Sequence, residues 1–237
     1  MELSAGGAER TPETTVGDAF AWAMRDPEWI SKLVLMGLIG IIPIVGTLQL
    51  LGWMLTTIDN LRAGHQVLPP AGFRYATRGL YLFLASLIYI LVFAVVFYGT
   101  MFALVFGFTG TIPHSGSGQG TVTPFPFLFF IGMFGGMSAI LALSLALYLF
   151  VPLVILFTDR RGFSGAFDWV GFIRAIRISP RETVAAGALS LVAYLISSLG
   201  SYLCYVGLLF TIPYSLTIMA WVLRWYEIKA RPGALPT

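Results

Sequence analysis

The sequence predicts an all-α, polytopic integral membrane protein with about six membrane helices. Of its 237 residues, 57% are hydrophobic and only 11% are charged, whereas soluble domains contain about 25% charged residues. The mean hydropathy is +0.85, and several apolar runs exceed the roughly 18 residues that a helix needs to cross a bilayer. The 14 lysines and arginines flank these runs, so we expect anionic lipid headgroups, and not nucleic acid, as their partner.

The first 14 residues are predicted to be a disordered tail, because they are polar and lack the apolar core of a signal peptide. One helical domain, residues 15–231, follows. It opens with an amphipathic helix at 15–25, where Thr15 and Asp18 have the spacing of a capping box. This helix is too short to span and is expected to lie in the membrane interface. The alternative is that it packs against the rest of the protein.

Residues 27–62 are predicted to form a short hairpin of two membrane helices. Asp26 is in position to cap the first helix and Pro27 to begin it, and Ile-Pro-Ile-Val-Gly at 42–46 separates two apolar runs. A single helix of this length would measure roughly 54 Å, which exceeds a membrane core of about 30 Å. The hairpin therefore either crosses a locally thinned bilayer or is re-entrant.

A long hairpin is predicted over residues 79–157. Apolar runs at 79–106 and 127–157 flank a loop that is rich in Gly, Ser, Thr and Pro and carries no charge. Pro152 is expected to kink the second run near its end, because proline removes a backbone hydrogen bond.

A third hairpin is predicted over residues 180–228, followed by a short tail, 232–237. Ser179 and Glu182 have the spacing of a second capping box, with Pro180 at the first helical position. Pro213 interrupts the last helix, and we expect a nearby Thr211 or Ser215 hydroxyl to compensate the lost backbone bond.

An amphipathic helix at 163–178 is predicted to lie in the interface before this third hairpin. Trp169 and Ile173 would face the acyl chains, and neighbouring arginines would reach anionic headgroups or an acidic partner. The alternative is that these arginines only set the topology. The residues assigned to this lipid- or partner-binding site are Arg160, Arg161, Arg174, Arg177 and Trp169.

A parallel pseudo-repeat relates the two ends of the chain. The motif Ala-Phe-x-Trp occurs at 19–22 and again at 166–169, and each copy precedes a helix-start signal and an apolar hairpin. With the first run folded as a hairpin, all 14 lysines and arginines lie on one side. Because cytoplasmic loops are enriched in these residues, we predict a multi-pass protein of the bacterial inner (cytoplasmic) membrane with both termini cytoplasmic.

The N-terminal third resembles a known family. The motifs that carry the resemblance are Ala19-Phe20, Asp26-Pro27-Glu28-Trp29, Ile42-Pro43-Ile44-Val45, Gly52-Trp53 and Leu68-Pro69. Over residues 16–80 the chain is similar to an uncharacterised membrane family of bacteria and archaea, the domain of unknown function DUF4013. The stretch after Leu-Pro is typically acidic in that family, whereas here it contains Arg74. The family has no established activity, so the resemblance implies a membrane architecture and no mechanism.

No catalytic, cofactor-binding or metal-binding site is predicted. Neither His65 nor His114 lies in a predicted span, so ligation of haem or chlorophyll by histidine is not expected, and the single cysteine, Cys204, excludes an intrachain disulfide. The nearest approach to a polar site is Asp59, Asn60 and Thr57 at the end of the second helix. The alternative for Asp59 is a structural ion pair with Arg62.

The predicted function is that of a non-enzymatic accessory or scaffold subunit of a larger membrane complex, for which energy-transducing complexes are candidates. Apolar surface without recognisable chemistry motivates this prediction. The expected partners are membrane lipids and other membrane-protein subunits. The alternative is a small-molecule or lipid transporter, which would require a polar cavity near Asp59, because coupled transporters place ionisable groups inside the membrane.

Overall fold

A computed structural model describes residues 17–109, 125–202 and 206–236. The predicted tail at 1–14, the capping residue Thr15, His114 and Cys204 lie outside these residues. The described chain folds into α-helices and short 3-10 segments, with no strand in the ranges given, which confirms the all-α prediction.

The helices are numbered in chain order. They are α1 (Asp18–Ala21), α2 (Trp29–Gly40), α3 (Val45–Arg62), α4 (Ala76–Thr109), α5 (Phe125–Tyr148), α6 (Val151–Arg161), α7 (Trp169–Ile178), α8 (Pro180–Leu199) and α9 (Leu208–Lys229). The 3-10 segments are Trp22–Arg25, Gly162–Phe167 and Gly200–Tyr202.

Among the residues that the structure describes, three helices are long and apolar enough to cross a membrane, which is consistent with a membrane protein. They are Ala76–Phe102, Pro180–Tyr202 and Leu208–Lys229. Two shorter apolar helical stretches, Trp29–Gly40 and Phe130–Leu145, accompany them. The count of six membrane helices remains a prediction.

The N-terminal segment packs on α9. It consists of α1 and the 3-10 turn that follows, and both Ala19 and Trp22 are buried. The indole nitrogen of Trp22 donates a hydrogen bond of 3.2 Å to the backbone oxygen of Thr217. This packing corresponds to the alternative that the sequence left open for residues 15–25.

The first hairpin is present as α2 and α3. The chain reverses over residues 41–44, where Ile44 has a φ of +64°, a conformation that is costly for a β-branched residue. A Cβ at Gly46 would lie 2.4 Å from the backbone oxygen of Ile39, so glycine lets the start of α3 pass close to the end of α2. The turn is therefore tight.

The second hairpin differs from the predicted one. The expected span at 127–157 is divided into α5 and α6 by a turn at residues 149–150. Pro152 does not kink a continuous helix; it lies in the first turn of α6, where its missing N–H would have no intrahelical partner in any case. The break lets α6 pack against α8, α4 and α9.

The predicted helix at 163–178 is wrong in its first part. Residues 162–167 form a 3-10 segment, and α7 begins at Trp169, with the Asp168 carboxylate accepting a hydrogen bond of 2.8 Å from the N–H of Gly171. Phe172 faces the core, whereas Trp169 and Ile173 are 46% and 49% exposed. The outward face of this helix is thus the one that the sequence predicted.

Pro180 begins α8 as predicted, but no side-chain hydrogen bond caps this helix. The Ser179 hydroxyl instead accepts a hydrogen bond of 2.9 Å from the backbone N–H of Arg231. The predicted capping box is therefore wrong, and Ser179 ties the C-terminal segment to the start of α8.

The proline in α9 is accommodated by α2. Pro213 has no backbone N–H to donate to the carbonyl of Leu209. A Cβ at Gly37 would lie 1.7 Å from that carbonyl oxygen, so the backbones of α2 and α9 are in contact there. The Cα–H of Gly37 can therefore face the carbonyl that proline leaves without its helical partner. The hydroxyls of Thr211 and Ser215 donate elsewhere, to Ser197 and Ile212. The expectation that they compensate the lost bond is wrong.

Candidate functional site

Seven ionisable side chains from four helices meet at one end of the bundle. We call them the charged cluster, and its members are Asp59, Arg62, Arg78, Asp159, Arg160, Arg224 and Glu227. They belong to α3, α4, α6 and α9.

Arg62 lies at the centre of the charged cluster. Its guanidinium donates to both oxygens of Glu227, at 3.1 and 2.5 Å. It also donates to Asp159 at 2.7 Å and to Asp59 at 2.9 Å. The side chains of Asp159 and Glu227 are only 2% and 3% exposed. Buried carboxylates are costly unless they are paired and hydrogen-bonded, so Arg62 makes their burial tolerable.

The remaining arginines complete the pairing. Arg78 lies 3.0 Å from Asp59 and 2.6 Å from Oδ1 of Asp159, although this second contact lacks hydrogen-bond geometry. Arg160 and Arg224 approach Glu227 at 3.1 and 3.4 Å. Every oxygen of the three carboxylates therefore faces an arginine nitrogen. The charged cluster is thus a network of ion pairs that links four helices.

The three residues predicted as a polar site point to different partners. Asp59 forms the expected ion pair with Arg62 and belongs to the charged cluster. The amide nitrogen of Asn60 donates to the backbone oxygen of Val67 at 3.1 Å, and the buried Thr57 hydroxyl donates to that of Trp53 at 2.8 Å. The structure does not bring the three side chains to a common partner.

The residues predicted to bind lipid fall into two groups. Arg160 is held by Glu227 and by the backbone oxygen of Pro236, and Arg161 pairs with Asp168 at 2.6 Å. Arg174 and Arg177 are exposed and form no ion pair or side-chain hydrogen bond with any residue in the described ranges. Of the four arginines, only this second group presents cations whose charge is not matched by a carboxylate in the described part of the chain.

A second buried ion pair lies at the start of α2. The Asp26 carboxylate accepts from the N–H groups of Glu28 and Leu68, both at 2.9 Å, and from the Lys32 ammonium at 2.8 Å. Burial would raise the pKa of Asp26, but these hydrogen bonds outweigh it and hold the pKa below its ordinary value. The predicted cap at Asp26 with a helix start at Pro27 is wrong, because α2 begins at Trp29 without a side-chain cap. Nothing local in the sequence reveals the contact of Asp26 with the loop at Leu68.

An apolar cavity of about 510 Å³ adjoins the charged cluster. Its walls come from α3, α4, α5, α6, α7 and α9, and include Leu82, Tyr89, Phe93, Val154, Trp169 and Met219. Its volume and lining are typical of sites for small apolar ligands. Sequence reasoning missed this cavity because no motif marks it.

The cavity and the charged cluster share helix faces. Leu82 and Ser86 line the cavity at four and eight residues beyond Arg78 in α4, and Ile155 lines it four residues before Asp159 in α6. Residues spaced by four lie on one face of a helix. The charged cluster therefore lies about one helical turn beyond the cavity on α4 and α6. Ionisable residues just outside apolar runs are the sequence signal that could have indicated the charged cluster.

Residues 35–206 match the family described as "Protein of unknown function (DUF4013)". This match covers well over half of the chain, so the chain belongs to that family, as the resemblance indicated. The matched region begins within α2 and ends after α8, so it reaches much further than residues 16–80 and does not include Asp26-Pro27-Glu28-Trp29. No curated protein and no solved structure matches the chain.

Proposed function

We propose that this member of the DUF4013 family is a non-enzymatic integral membrane protein that serves as an accessory or scaffold subunit of a larger membrane complex. The observation that supports the proposal most is that the rest of the chain covers little of α4. Only 11% of its most apolar 18-residue window is buried, compared with 44% in α9.

The exposed part of α4 offers apolar side chains over more than half of its circumference. Ile90, Leu91 and Val92 are 63%, 64% and 56% exposed, and three consecutive residues point in directions about 100° apart, because a turn contains 3.6 residues. Lipid can cover such a surface, but so can the helices of a neighbouring subunit. Small residues along the same helix, such as Ala94 and Gly99, permit close contact with a neighbouring helix.

The charged cluster supports a structural role. It joins α3, α4, α6 and α9, and its carboxylates are occupied by arginines rather than directed into a cavity. We propose that this end faces the cytoplasm, together with both termini, because the basic residues are concentrated there. A reporter fused to the C-terminus that is active only in the periplasm should stay inactive, and its activity would contradict this orientation.

Isolation of the tagged full-length chain from native membranes in mild detergent tests the subunit role. Membrane proteins that accompany the chain in constant stoichiometry are expected. Val95→Trp, at a position that is 65% exposed on α4, should reduce their recovery at least fivefold. Val184→Trp, at a 53% exposed position on α8, is the matched control and should not. A monodisperse chain without partners, or equal effects of the two variants, would contradict the proposal.

A lipid or small-molecule transporter is the second candidate, and the apolar cavity is the observation that favours it. Purified chain in vesicles of defined phospholipids distinguishes the two functions. A scaffold subunit should move fluorescent phospholipid between leaflets no faster than protein-free vesicles do. Movement that depends on the chain and stops when the cavity is filled would replace the scaffold proposal.

A further inference from the structure

We propose that the apolar cavity holds one acyl chain of an anionic glycerophospholipid, whose phosphate is bound by Arg174 and Arg177 on α7. This assignment does not depend on the subunit role, because it concerns a ligand taken from the surrounding membrane.

The chemistry of the cavity wall favours hydrocarbon over water. The Ser86 hydroxyl donates to the backbone oxygen of Phe83 at 2.7 Å, and the Tyr89 hydroxyl donates to that of Ala166 at 2.5 Å. A buried water needs two to four polar partners, and this wall offers few, because both hydroxyls already donate to the backbone and most of the other lining side chains are wholly apolar. The cavity is therefore suited to an apolar guest.

The cavity opens sideways to the membrane. Two of its lining residues, Ile90 on α4 and Trp169 on α7, are also 63% and 46% exposed, so the gap between these helices leads to the surface. Because α4 is one of the membrane-spanning candidates, this surface meets lipid. An acyl chain can thus enter without crossing water.

The length of the cavity fits one leaflet. Its lining on α4 extends from Leu82 to Phe93, which is about 16 Å at 1.5 Å per residue. Half of a hydrocarbon core of about 30 Å is nearly the same. A single acyl chain lying along α4 would match this length.

A row of side chains connects the cavity to unmatched positive charge. Trp169, Ile173 and Arg177 are spaced by four residues and lie along one face of α7. Trp169 lines the cavity, Ile173 is 49% exposed, and Arg177 is exposed beside Arg174. Both arginines lack a carboxylate partner in the described ranges, whereas Arg161 nearby has Asp168. Arginine binds phosphate through paired N–H groups, so charge complementarity favours a phospholipid over a neutral quinone.

Lipid retention by the purified full-length chain tests the acyl-chain site. The wild-type chain, exchanged into nanodiscs of equal phosphatidylglycerol and phosphatidylcholine and then into detergent, should carry one phospholipid by native mass spectrometry. Ser86→Phe projects a ring into the cavity without removing a core side chain, and it should lower retention at least fivefold. Leu91→Phe, at a 64% exposed position outside the lining, is the matched control and should retain lipid as the wild type does.

Val154→Phe fills the cavity from the wall that α6 forms and keeps the test decisive if Ser86→Phe does not fold. Folding of each variant is checked by its thermal unfolding. Retention at the wild-type level in a folded cavity-filling variant would overturn the proposal, whatever the outcome of the partner-recovery experiment.

The headgroup assignment has its own test. Arg174→Gln with Arg177→Gln should still retain a lipid but lose the preference for phosphatidylglycerol over phosphatidylcholine. The matched control is Lys229→Gln with Arg231→Gln, which removes two exposed cations elsewhere and should keep the preference. An unchanged preference in the first pair, or a neutral molecule such as a quinone in the cavity, would overturn the assignment.

Discussion

Replacing Arg62 by Leu should be among the most destabilising single substitutions in the chain. The substitution leaves Glu227 and Asp159, whose side chains are 3% and 2% exposed, without their central cation. Breaking a buried ion pair by removing one partner costs about 3–5 kcal/mol, because an uncompensated charge remains. The arginines that stay on Glu227 are about one-third exposed and contact it at 3.1 and 3.4 Å, so we expect a loss of about 3 kcal/mol, at the lower end of that range.

A double substitution distinguishes the cost of an unpaired buried charge from the cost of lost side-chain packing. Arg62→Leu combined with Glu227→Leu removes both the cation and one of the carboxylates that it pairs with. Replacing a buried ion pair by apolar residues often leaves stability nearly unchanged. Asp159 would keep its contact with Arg78. The double variant should therefore recover more than half of the stability that the single variant loses.

Unfolding in mixed micelles with increasing SDS measures these differences in the free energy of unfolding. The fluorescence of the buried Trp22 and Trp53 reports the transition. Arg181→Leu removes an exposed arginine without a partner in the described ranges and should change stability by less than about 0.5 kcal/mol. If Arg62→Leu is no more destabilising than this control, the charged cluster does not fasten the helices.

Further substitutions test other parts of the fold. Gly37→Ala would place a Cβ 1.7 Å from a backbone oxygen of α9 and should cost at least about 2 kcal/mol in the same assay, whereas Gly17→Ala, with nothing within 4 Å, should not; equal effects would contradict the close contact of α2 and α9. Because the pKa of Asp26 is lowered by folding, its contribution is present above the unfolded value of about 3.9 and is lost as the pH falls through the lower folded value. The wild type should therefore lose more stability between pH 6 and pH 3 than Asp26→Asn does, and equal losses would contradict that assignment. Finally, a re-entrant first hairpin predicts that Val45→Cys, in a cysteine-free background, is protected from an impermeant reagent added outside; strong labelling would indicate a hairpin that spans a thinned bilayer.

The sequence alone predicted the helical class, the reversal near Pro43, the helix start at Pro180 and the outward direction of Trp169 and Ile173. These features depend on signals within one segment. The length of an apolar run limits what can span, proline removes a particular hydrogen bond, and a four-residue spacing defines a helix face. No other part of the chain is needed to evaluate them.

The break before α6, the 3-10 segment before α7 and the failure of Ser179 to cap α8 depended on tertiary contacts. Local patterns allowed a continuous helix or a capped start in each case. At the break, Gly187 lets α8 pack closely on Leu149, because a Cβ at Gly187 would lie 2.7 Å from the Leu149 Cα. At the start of α8, the backbone N–H of Arg231 donates to the Ser179 hydroxyl oxygen. Packing between distant segments therefore selected among conformations that were all locally acceptable.

The partners of Arg62 could not be inferred from the sequence beyond Asp59. Asp159 and Glu227 lie 97 and 165 residues away, and which helices meet depends on their order and rotation in the bundle. A helix that is apolar on all sides does not reveal which side faces the core. The pairing of charges and the cavity beside them thus arise only when α3, α4, α6 and α9 come together, because both are properties of the space between helices.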